Sequence, residues 1–137
     1  MKRKLTEKEE QIMIVFWEKD PPKGDIPGTG EALFIREVLE SLPEPKPSYN
    51  TVATQIKFLE DKGFLQREPI ANTFRYSVKI SERQYRGERI GAMVSNYYDN
   101  SYASLVSQFV EEERMSLDEL KALIARIENG TRSKEKK

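Results

Sequence analysis

The chain has 137 residues, which suits one compact domain with a helical extension. It contains no cysteine and no histidine, which excludes disulfides, thiolate nucleophiles, histidine general bases and nearly all zinc or copper sites. We therefore expect no catalytic residue, no bound metal, no cofactor and no enzymatic activity. Its 23 basic and 23 acidic residues cancel to a net charge of zero, so a nucleic-acid surface requires local clustering of charge.

The amino-terminal segment resembles neither a signal peptide nor a membrane anchor. Its basic residues 2–4 are followed by the charged stretch 7–10 instead of an apolar core. No other apolar run is long enough to cross a bilayer. We therefore expect a cytoplasmic protein without membrane insertion.

The first predicted helix begins at a capping box formed by Thr6 and Glu9 and ends near Lys19, because Pro21 and Pro22 cannot continue it. Its apolar side chains at helical spacing are Ile12, Val15 and Phe16, and Trp17 is expected to anchor it to its neighbours. Residues 20–30 contain three prolines and three glycines, which predicts a surface loop. A short strand at 32–34 can follow that loop.

Two helices separated by a proline-rich linker predict a helix-turn-helix. The first starts at Ile35 and stops before the linker at 43–47, and the second starts at Ser48 or Tyr49 and ends at Gly63, a left-handed cap. The second helix carries Val52, Ile56 and Leu59 on its apolar side. Its other side carries Asn50, Thr51, Thr54, Lys57, Phe58 and Asp61.

Two strands, at 64–68 and 74–80, are predicted to form a hairpin with a turn at 69–73. In the second strand Phe74, Tyr76, Val78 and Ile80 alternate with polar residues, which is typical of a half-buried strand. Three helices and a hairpin predict a winged-helix DNA-binding domain over residues 1–80. The expected fold class is mainly α with a small β hairpin: a winged helix-turn-helix head followed by a helical dimerisation region.

Three helices are predicted after residue 80. They start at a capping box formed by Ser81 and Gln84, at Ser101, and at a box formed by Ser116 and Glu119. A small head cannot bury all their one-sided apolar stripes, so residues 81–130 are expected to dimerise, with a flexible tail at 131–137. The expected interface residues are Leu105, Val106, Phe109, Leu117, Leu120, Leu123, Ile124 and Ile127.

Taken in order, several stretches resemble the penicillinase and methicillin-resistance repressor family of the BlaI and MecI type. The resemblance covers nearly the whole chain, and it is the ordered set that is specific. The matching residues are Leu5, Thr6, Glu9, Ile12, Met13, Trp17, 35–38, Leu42, Pro43, 48–54, Ile56, Leu59, 62–65, Tyr76, 104–106 and Phe109.

The resemblance implies a homodimer that binds an inverted-repeat operator in double-stranded DNA and represses transcription. It also implies inactivation by cleavage in the dimer region, signalled by a membrane-bound sensor metalloprotease. The aligned bond joins Ser101 and Tyr102, and the family commonly has Asn where this chain has Ser101. Copper-responsive relatives have a carboxyl-terminal cysteine cluster, which this chain lacks, so metal sensing is not expected.

The polar side of the second helix-turn-helix helix suits base edges: Asn50 can pair with adenine, and Thr51 and Thr54 can meet a thymine methyl or an acceptor. Ser48, Asn50 and Thr51 can instead cap the helix, and Tyr49 either touches phosphate or packs beneath it. The candidate DNA-binding residues are Lys46, Ser48, Tyr49, Asn50, Thr51, Thr54, Lys57 and Arg75. Further candidates for phosphate contact are Lys62, Arg67 and Lys79, unless these belong to a solvated charged face.

Some residues depart from the family pattern. Phe58 and Asp61 stand where basic residues are usual, and residues 71–72 replace the usual Gly-Arg of the wing, which predicts weaker or different DNA binding. Phe58 can pack on the hairpin, touch a base methyl or bury in a protein contact. The alternatives are a winged-helix protein-interaction module and a regulator that binds a small ligand in a pocket lined by Tyr97, Tyr98 and Tyr102.

Overall fold

A computed structural model describes residues 4–135, which form six α-helices and one two-stranded antiparallel sheet. In chain order the elements are α1 (Glu7–Lys19), α2 (Ile35–Ser41), α3 (Tyr49–Asp61), β1 (Leu65–Ile70), β2 (Thr73–Val78), α4 (Glu82–Tyr97), α5 (Tyr102–Glu111) and α6 (Leu117–Glu135). A single 3-10 turn at Lys23–Asp25 lies in the loop after α1. The mainly α winged-helix fold predicted from the sequence is confirmed.

Capping boxes start three of these helices, as the sequence predicts. The N–H of Glu9 donates to Thr6 Oγ1 at 3.2 Å, and the N–H of Thr6 donates to Glu9 Oε1 at 2.9 Å. Reciprocal hydrogen bonds of the same kind start α4 and α6, in the pairs Ser81 with Gln84 and Ser116 with Glu119. Each box satisfies N–H groups that have no partner within the helix, so these starts follow from local sequence.

A Schellman motif centred on Gly63 ends α3. Gly63 has a φ of +86°, a left-handed conformation that costs little only for glycine. Its N–H donates to the carbonyl of Glu60 at 3.0 Å, and the N–H of Phe64 donates to the carbonyl of Leu59 at 2.9 Å. The predicted left-handed cap is confirmed, and it turns the chain from α3 into the hairpin.

The chain divides into two compact units, Met1–Ile90 and Gly91–Lys137. This division lies inside α4, and Tyr85 in the first half of α4 belongs to the core of the first unit. The Tyr85 ring lies 5.8 Å from the ring of Trp17 and 5.5 Å from that of Phe64, centroid to centroid. Trp17 is the predicted anchor of α1, and its ring N–H donates to the carbonyl of Ile80 at 2.9 Å.

The two strands of the hairpin pair closer to the turn than predicted, and the turn is shorter than the predicted turn at 69–73. Strand pairing runs from Leu65 opposite Val78 to Ile70 opposite Thr73, which leaves only residues 71 and 72 in the turn. Ala71 has a φ of +53°, as the left-handed turns of two-residue hairpins require. The predicted strand at 32–34 is a single bridge between Leu33 and Tyr76.

The predicted alternation in the second strand holds for Tyr76, Val78 and Ile80, which are buried, but fails at two positions. Phe74 is exposed because it lies beside the turn, beyond the core, where Arg67 covers its ring at 4.6 Å. Ser77 is buried. The reason is that the loop after α1 lies against this part of β2, where the N–H of Gly28 donates to the carbonyl of Val78 at 3.0 Å.

The second unit consists of the end of α4 with α5 and α6. Asp99 and Asn100 have φ values of 51° and 63°, which separates α4 from α5 at the predicted break. Helix α6 continues to Glu135, so the predicted tail at 131–137 begins inside a helix. A glycine such as Gly130 weakens a helix by only about 1 kcal/mol and does not end it. Residues 136 and 137 lie outside the described residues.

Candidate nucleic-acid interface

The side of α3 that faces away from the core carries four of the eight predicted DNA-binding residues. Val52, Ile56 and Leu59 are fully buried, so the opposite side of the helix faces solvent. We refer to this side as the α3 outer face, which comprises Asn50, Thr51, Thr54, Lys57, Phe58 and Asp61; Thr51 is half-buried and the others are exposed. The structure therefore brings the predicted base-contacting residues together on one helical surface.

The amino-terminal end of α3 shows which of these residues act as caps. The N–H of Thr51 donates to Ser48 Oγ at 3.1 Å, and the two hydroxyl oxygens lie 2.9 Å apart. Ser48 is thus the N-cap. The side chains of Asn50 and Thr54 have no hydrogen-bond partner within residues 4–135. They line a shallow depression together with Thr51 and Gln55, and their polar groups can meet a partner outside the chain.

Lys46, a predicted DNA contact, is bound to the end of α2. Its Nζ donates to the carbonyls of Glu40 at 2.9 Å and Leu42 at 2.6 Å. The last carbonyls of a helix have no partner within it and carry partial negative charge, so a lysine is favoured there. The structure therefore assigns the Lys46 ammonium a role in ending α2, one that competes with phosphate contact.

The two hairpin arginines are paired with nearby carboxylates. Arg75 Nε lies 2.6 Å from Glu68 Oε1, and Arg67 Nε lies 3.3 Å from Glu60 Oε2. The Arg67 guanidinium also covers the ring of Phe74. Exposed ion pairs of this kind are worth less than about 1 kcal/mol, so a phosphate could displace the carboxylates. The pairing nevertheless lowers the positive potential of the hairpin.

Lys62 forms an ion pair with Glu9 that joins α1 to the end of α3. Lys62 Nζ lies 2.6 Å from Glu9 Oε1, and the Glu9 side chain is almost fully buried. Burial alone would raise the pKa of Glu9, but the hydrogen bonds from Lys62 and from the N–H of Thr6 outweigh it and lower the pKa below its ordinary value. The predicted phosphate contact at Lys62 is thus engaged in the structure of the head.

The basic side chains of Lys57, Lys79 and Arg36, all in the head, have no ion-pair or hydrogen-bond partner within the described part of the chain. Arg36 was not predicted as a DNA contact. It lies in the first turn of α2, the helix that crosses the DNA backbone in helix-turn-helix complexes, and this position was the available signal. Its groove, of about 350 Å³, is also lined by Phe34, Ile35, Glu37, Tyr49, Thr73 and Phe74. Tyr49 is exposed there and does not pack beneath the helix.

The predicted dimerisation residues differ in exposure. Leu105 is buried, and Val106, Phe109 and Leu120 are partly buried. The exposed members all lie on α6 and are Leu117, Leu123, Ile124 and Ile127. Apolar residues spaced three or four apart share one side of a helix, so a single copy leaves an apolar stripe on α6 exposed to solvent.

The turn between α4 and α5 contains the predicted cleavage bond. Ser101 is the N-cap of α5, because its Oγ accepts a hydrogen bond from the N–H of Ser104 at 3.1 Å, and Tyr102 is exposed. The Tyr98 hydroxyl bonds to Gln108. Tyr97 is 80% exposed, so it does not line an enclosed pocket with Tyr98 and Tyr102.

Comparisons with known proteins extend over both units. The sequence model of a family described as penicillinase repressor matches residues 5–129. The methicillin resistance regulatory protein MecI of Staphylococcus aureus strain N315 is 25% identical over 120 residues, which cover 87% of this chain and 89% of MecI. The penicillinase repressor of Bacillus licheniformis is 22% identical over 125 residues, 90% of this chain and 89% of that protein. MecI of Mammaliicoccus sciuri is 32% identical over 76 residues, 56% of this chain and 62% of that protein.

Among residues 4–135, no helix is both long and apolar enough to span a membrane. The same residues contain no cluster of three or more acidic side chains placed to hold a metal ion.

Proposed function

This chain belongs to the penicillinase repressor family, whose members are DNA-binding transcriptional repressors and not enzymes, and we propose that it acts as a homodimer on an inverted-repeat operator. The winged-helix head, residues 1–80, binds double-stranded DNA. Residues 81–130 hold two copies together. Since an operator must be reached on the chromosome, the protein acts in the cytoplasm.

The observation that carries this proposal is the free polar surface of the α3 outer face. Asn50 and Thr54 are exposed and have no partner within the described residues. An Asn amide can bond two edges of adenine, and a Thr can meet a base acceptor or a thymine methyl. Lys57 lies on that surface, and Lys79 and Arg36 are further cations of the head without a partner within the described residues, so all three are available for phosphates. Two copies related by a twofold axis place their α3 helices about one DNA turn, roughly 34 Å, apart.

The apolar stripe of α6 supports dimerisation. Fully burying a Leu or Ile side chain is worth about 1.5–3 kcal/mol, so covering Leu117, Ile124 and Ile127 with a second copy is strongly favourable. Joining two heads raises the effective concentration of the second head at its half-site, and operator affinity rises by about 10²–10⁴. Dimerisation therefore determines whether the operator is occupied.

The inducing step that we propose is cleavage of the bond between Ser101 and Tyr102, signalled by a membrane-bound sensor metalloprotease. The bond lies at the turn between two helices, and exposed turns are preferred sites of proteolysis. Cleavage would disconnect α5 and α6 from the DNA-binding head. Mass spectrometry of the chain from cells of its natural host treated with a β-lactam should then show a fragment that ends at Ser101. Intact chain alone in induced cells would contradict this route.

The test of DNA binding is selection of bound sequences by the full-length protein from random duplex DNA. A palindrome with A/T-containing half-sites one helical turn apart is expected, and Asn50→Ala should weaken binding to it at least about tenfold. Glu18→Ala, an exposed change on α1, serves as the control and should leave affinity unchanged. Failure to enrich any palindrome would contradict the proposal.

Salt dependence separates a DNA reader from the alternative, a winged-helix protein-interaction module. A protein that displaces counterions from phosphates loses affinity steeply between about 50 and 200 mM salt. A partner held through apolar contacts responds little. A chain truncated after Asn100 should lose operator binding in the same gel shifts, because it lacks α5 and α6.

A further inference from the structure

We propose that Phe58 reads a thymine methyl group in the major groove of the operator and is a specificity-determining residue of this repressor. The inference rests on the proposed function, because it requires the α3 outer face to meet DNA. It adds to that function which base, and which chemical group on that base, the protein recognises.

Phe58 stands in line with the residues best suited to contact bases. Asn50, Thr54 and Phe58 are four residues apart, so they form one row along the α3 outer face. The row is about 12 Å long at 1.5 Å per residue, or just over two helical turns. A helix that lies along the major groove presents the residues of one face to the base edges, so Phe58 can meet bases together with Asn50 and Thr54.

The hairpin does not cover Phe58. Glu60 of α3 meets the hairpin through Arg67, at 3.3 Å. Phe58 precedes Glu60 by two residues, or about 200° around the helix, so it points away from the hairpin. Its side chain is 46% exposed, and within the described residues its ring makes no contact with another aromatic ring or with a guanidinium. These observations argue against packing on the hairpin as the role of Phe58.

The surroundings of Phe58 favour a base over a protein partner. Its neighbours on the same surface are Thr54, Lys57 and Asp61, so it is a single apolar group and not part of the contiguous patch that a protein interface needs. In the major groove, thymine alone among the four bases presents a methyl group. The Asp61 carboxylate on the same surface disfavours phosphate contact at this end of the helix, which leaves base contact as the role that fits an apolar ring there.

The experiment uses an operator duplex selected by the full-length wild-type chain. Each thymine in one half-site, and then its symmetry mate, is replaced by deoxyuracil, which lacks only the methyl group. Removing one buried methyl should weaken wild-type binding about fourfold, and removing both should weaken it roughly 15-fold. Phe58→Ala should bind the thymine duplex more weakly and be indifferent to deoxyuracil at that one position. Phe58→Leu should retain part of the discrimination.

Ile26→Ala is the control, because it removes another exposed large apolar side chain, in the loop after α1 and not on the α3 outer face, and should leave the deoxyuracil profile of the wild type unchanged. Thermal melts check that each variant is folded. If Phe58→Ala and wild type lose the same affinity at every deoxyuracil position, Phe58 does not read a methyl, although operator binding stands. If Phe58→Ala instead changes the oligomeric state, the residue belongs to a protein contact. If the wild-type chain selects no DNA, the proposed function fails together with this inference.

Discussion

The two units of this chain differ in how much of their apolar surface a single copy buries. The first unit buries one apolar cluster drawn from α1, α2, α3 and the hairpin, and it pairs Glu9, one of its buried carboxylates, with Lys62. The second unit buries Val94 and Leu105 but leaves the stripe on α6 exposed. A single copy of the head thus buries its own apolar residues, whereas a single copy of the carboxyl-terminal helices leaves the stripe that the proposed dimer would cover exposed.

Ile124→Glu should produce the largest effect on operator binding, and its structural effect should be confined to the second unit. A carboxylate inside an apolar interface loses its hydration without gaining an ion-pair partner. This desolvation costs more free energy than the interface supplies, so the dimer should dissociate. Operator affinity should then fall by about 10²–10⁴ in gel shifts, as the effective concentration of the second head is lost. Light scattering gives the oligomeric state, and the thermal transition of the head should be unchanged.

Ala122→Glu is the control for this change. Position 122 is exposed on α6 and precedes Ile124 by two residues, so it carries the same charge on the opposite side of the helix. It should remain dimeric and bind the operator as wild type. A dimeric Ile124→Glu variant would show that the units do not differ in the way the burial pattern indicates.

Features that depend on local sequence were predictable. The capping boxes at Thr6, Ser81 and Ser116 and the cap at Gly63 each involve residues a few positions apart, so composition and spacing determine them. The α3 outer face followed from helical periodicity for the same reason. These features locate the head, the candidate DNA surface and the starts of α4 and α6.

Features that depend on contacts between distant segments were not predictable. The sequence shows Lys46, Lys62 and Arg75 as basic residues, but not that each is engaged by a helix end or a carboxylate. The exposure of Phe74 and the burial of Ser77 depend on how far the hairpin extends beyond the core and on the loop that covers it. Charge availability at the candidate site is therefore a tertiary property.

Gly30→Ala should cause the next largest effect, this time in the first unit. A Cβ at position 30 would lie 1.8 Å from Asp20 Oδ1 and 2.8 Å from the Asp20 carbonyl oxygen. Asp20 is fully buried and cannot move, because its carboxylate accepts the N–H groups of Ala32 at 2.9 Å and Val78 at 3.2 Å. We expect the free energy of unfolding to fall by about 3 kcal/mol in urea titrations.

Gly87→Ala makes the same chemical change in α4, where a Cβ would meet no atom within 4 Å. Alanine is favoured over glycine in a helix, so this variant should be more stable than wild type by up to about 1 kcal/mol. Opposite signs for the two variants are expected. Equal effects would mean that the loop from Asp20 to Ala32 is not held rigidly against β2.

Glu9→Gln should give the smallest of these effects and should depend on pH. Glutamine keeps the capping box with Thr6 but removes the charge that faces Lys62. Because the pKa of Glu9 is lowered on folding from its ordinary value of 4.5, its charged form adds stability above that value, and this is lost as pH falls through the folded pKa. Wild type should exceed the variant by about 1–2 kcal/mol at neutral pH.

Glu7→Gln removes a carboxylate from the same first turn of α1, where Glu7 is exposed and has no ion-pair partner within the described residues. Its cost should stay within about 0.5 kcal/mol. The free energy of unfolding of the three proteins should be measured between pH 7 and pH 3. The values for Glu9→Gln and wild type should converge only below about pH 4.5. A Glu9→Gln deficit that is constant over this range would rule out the charged pair as its source, and the first unit would then not owe this stability to its own charges.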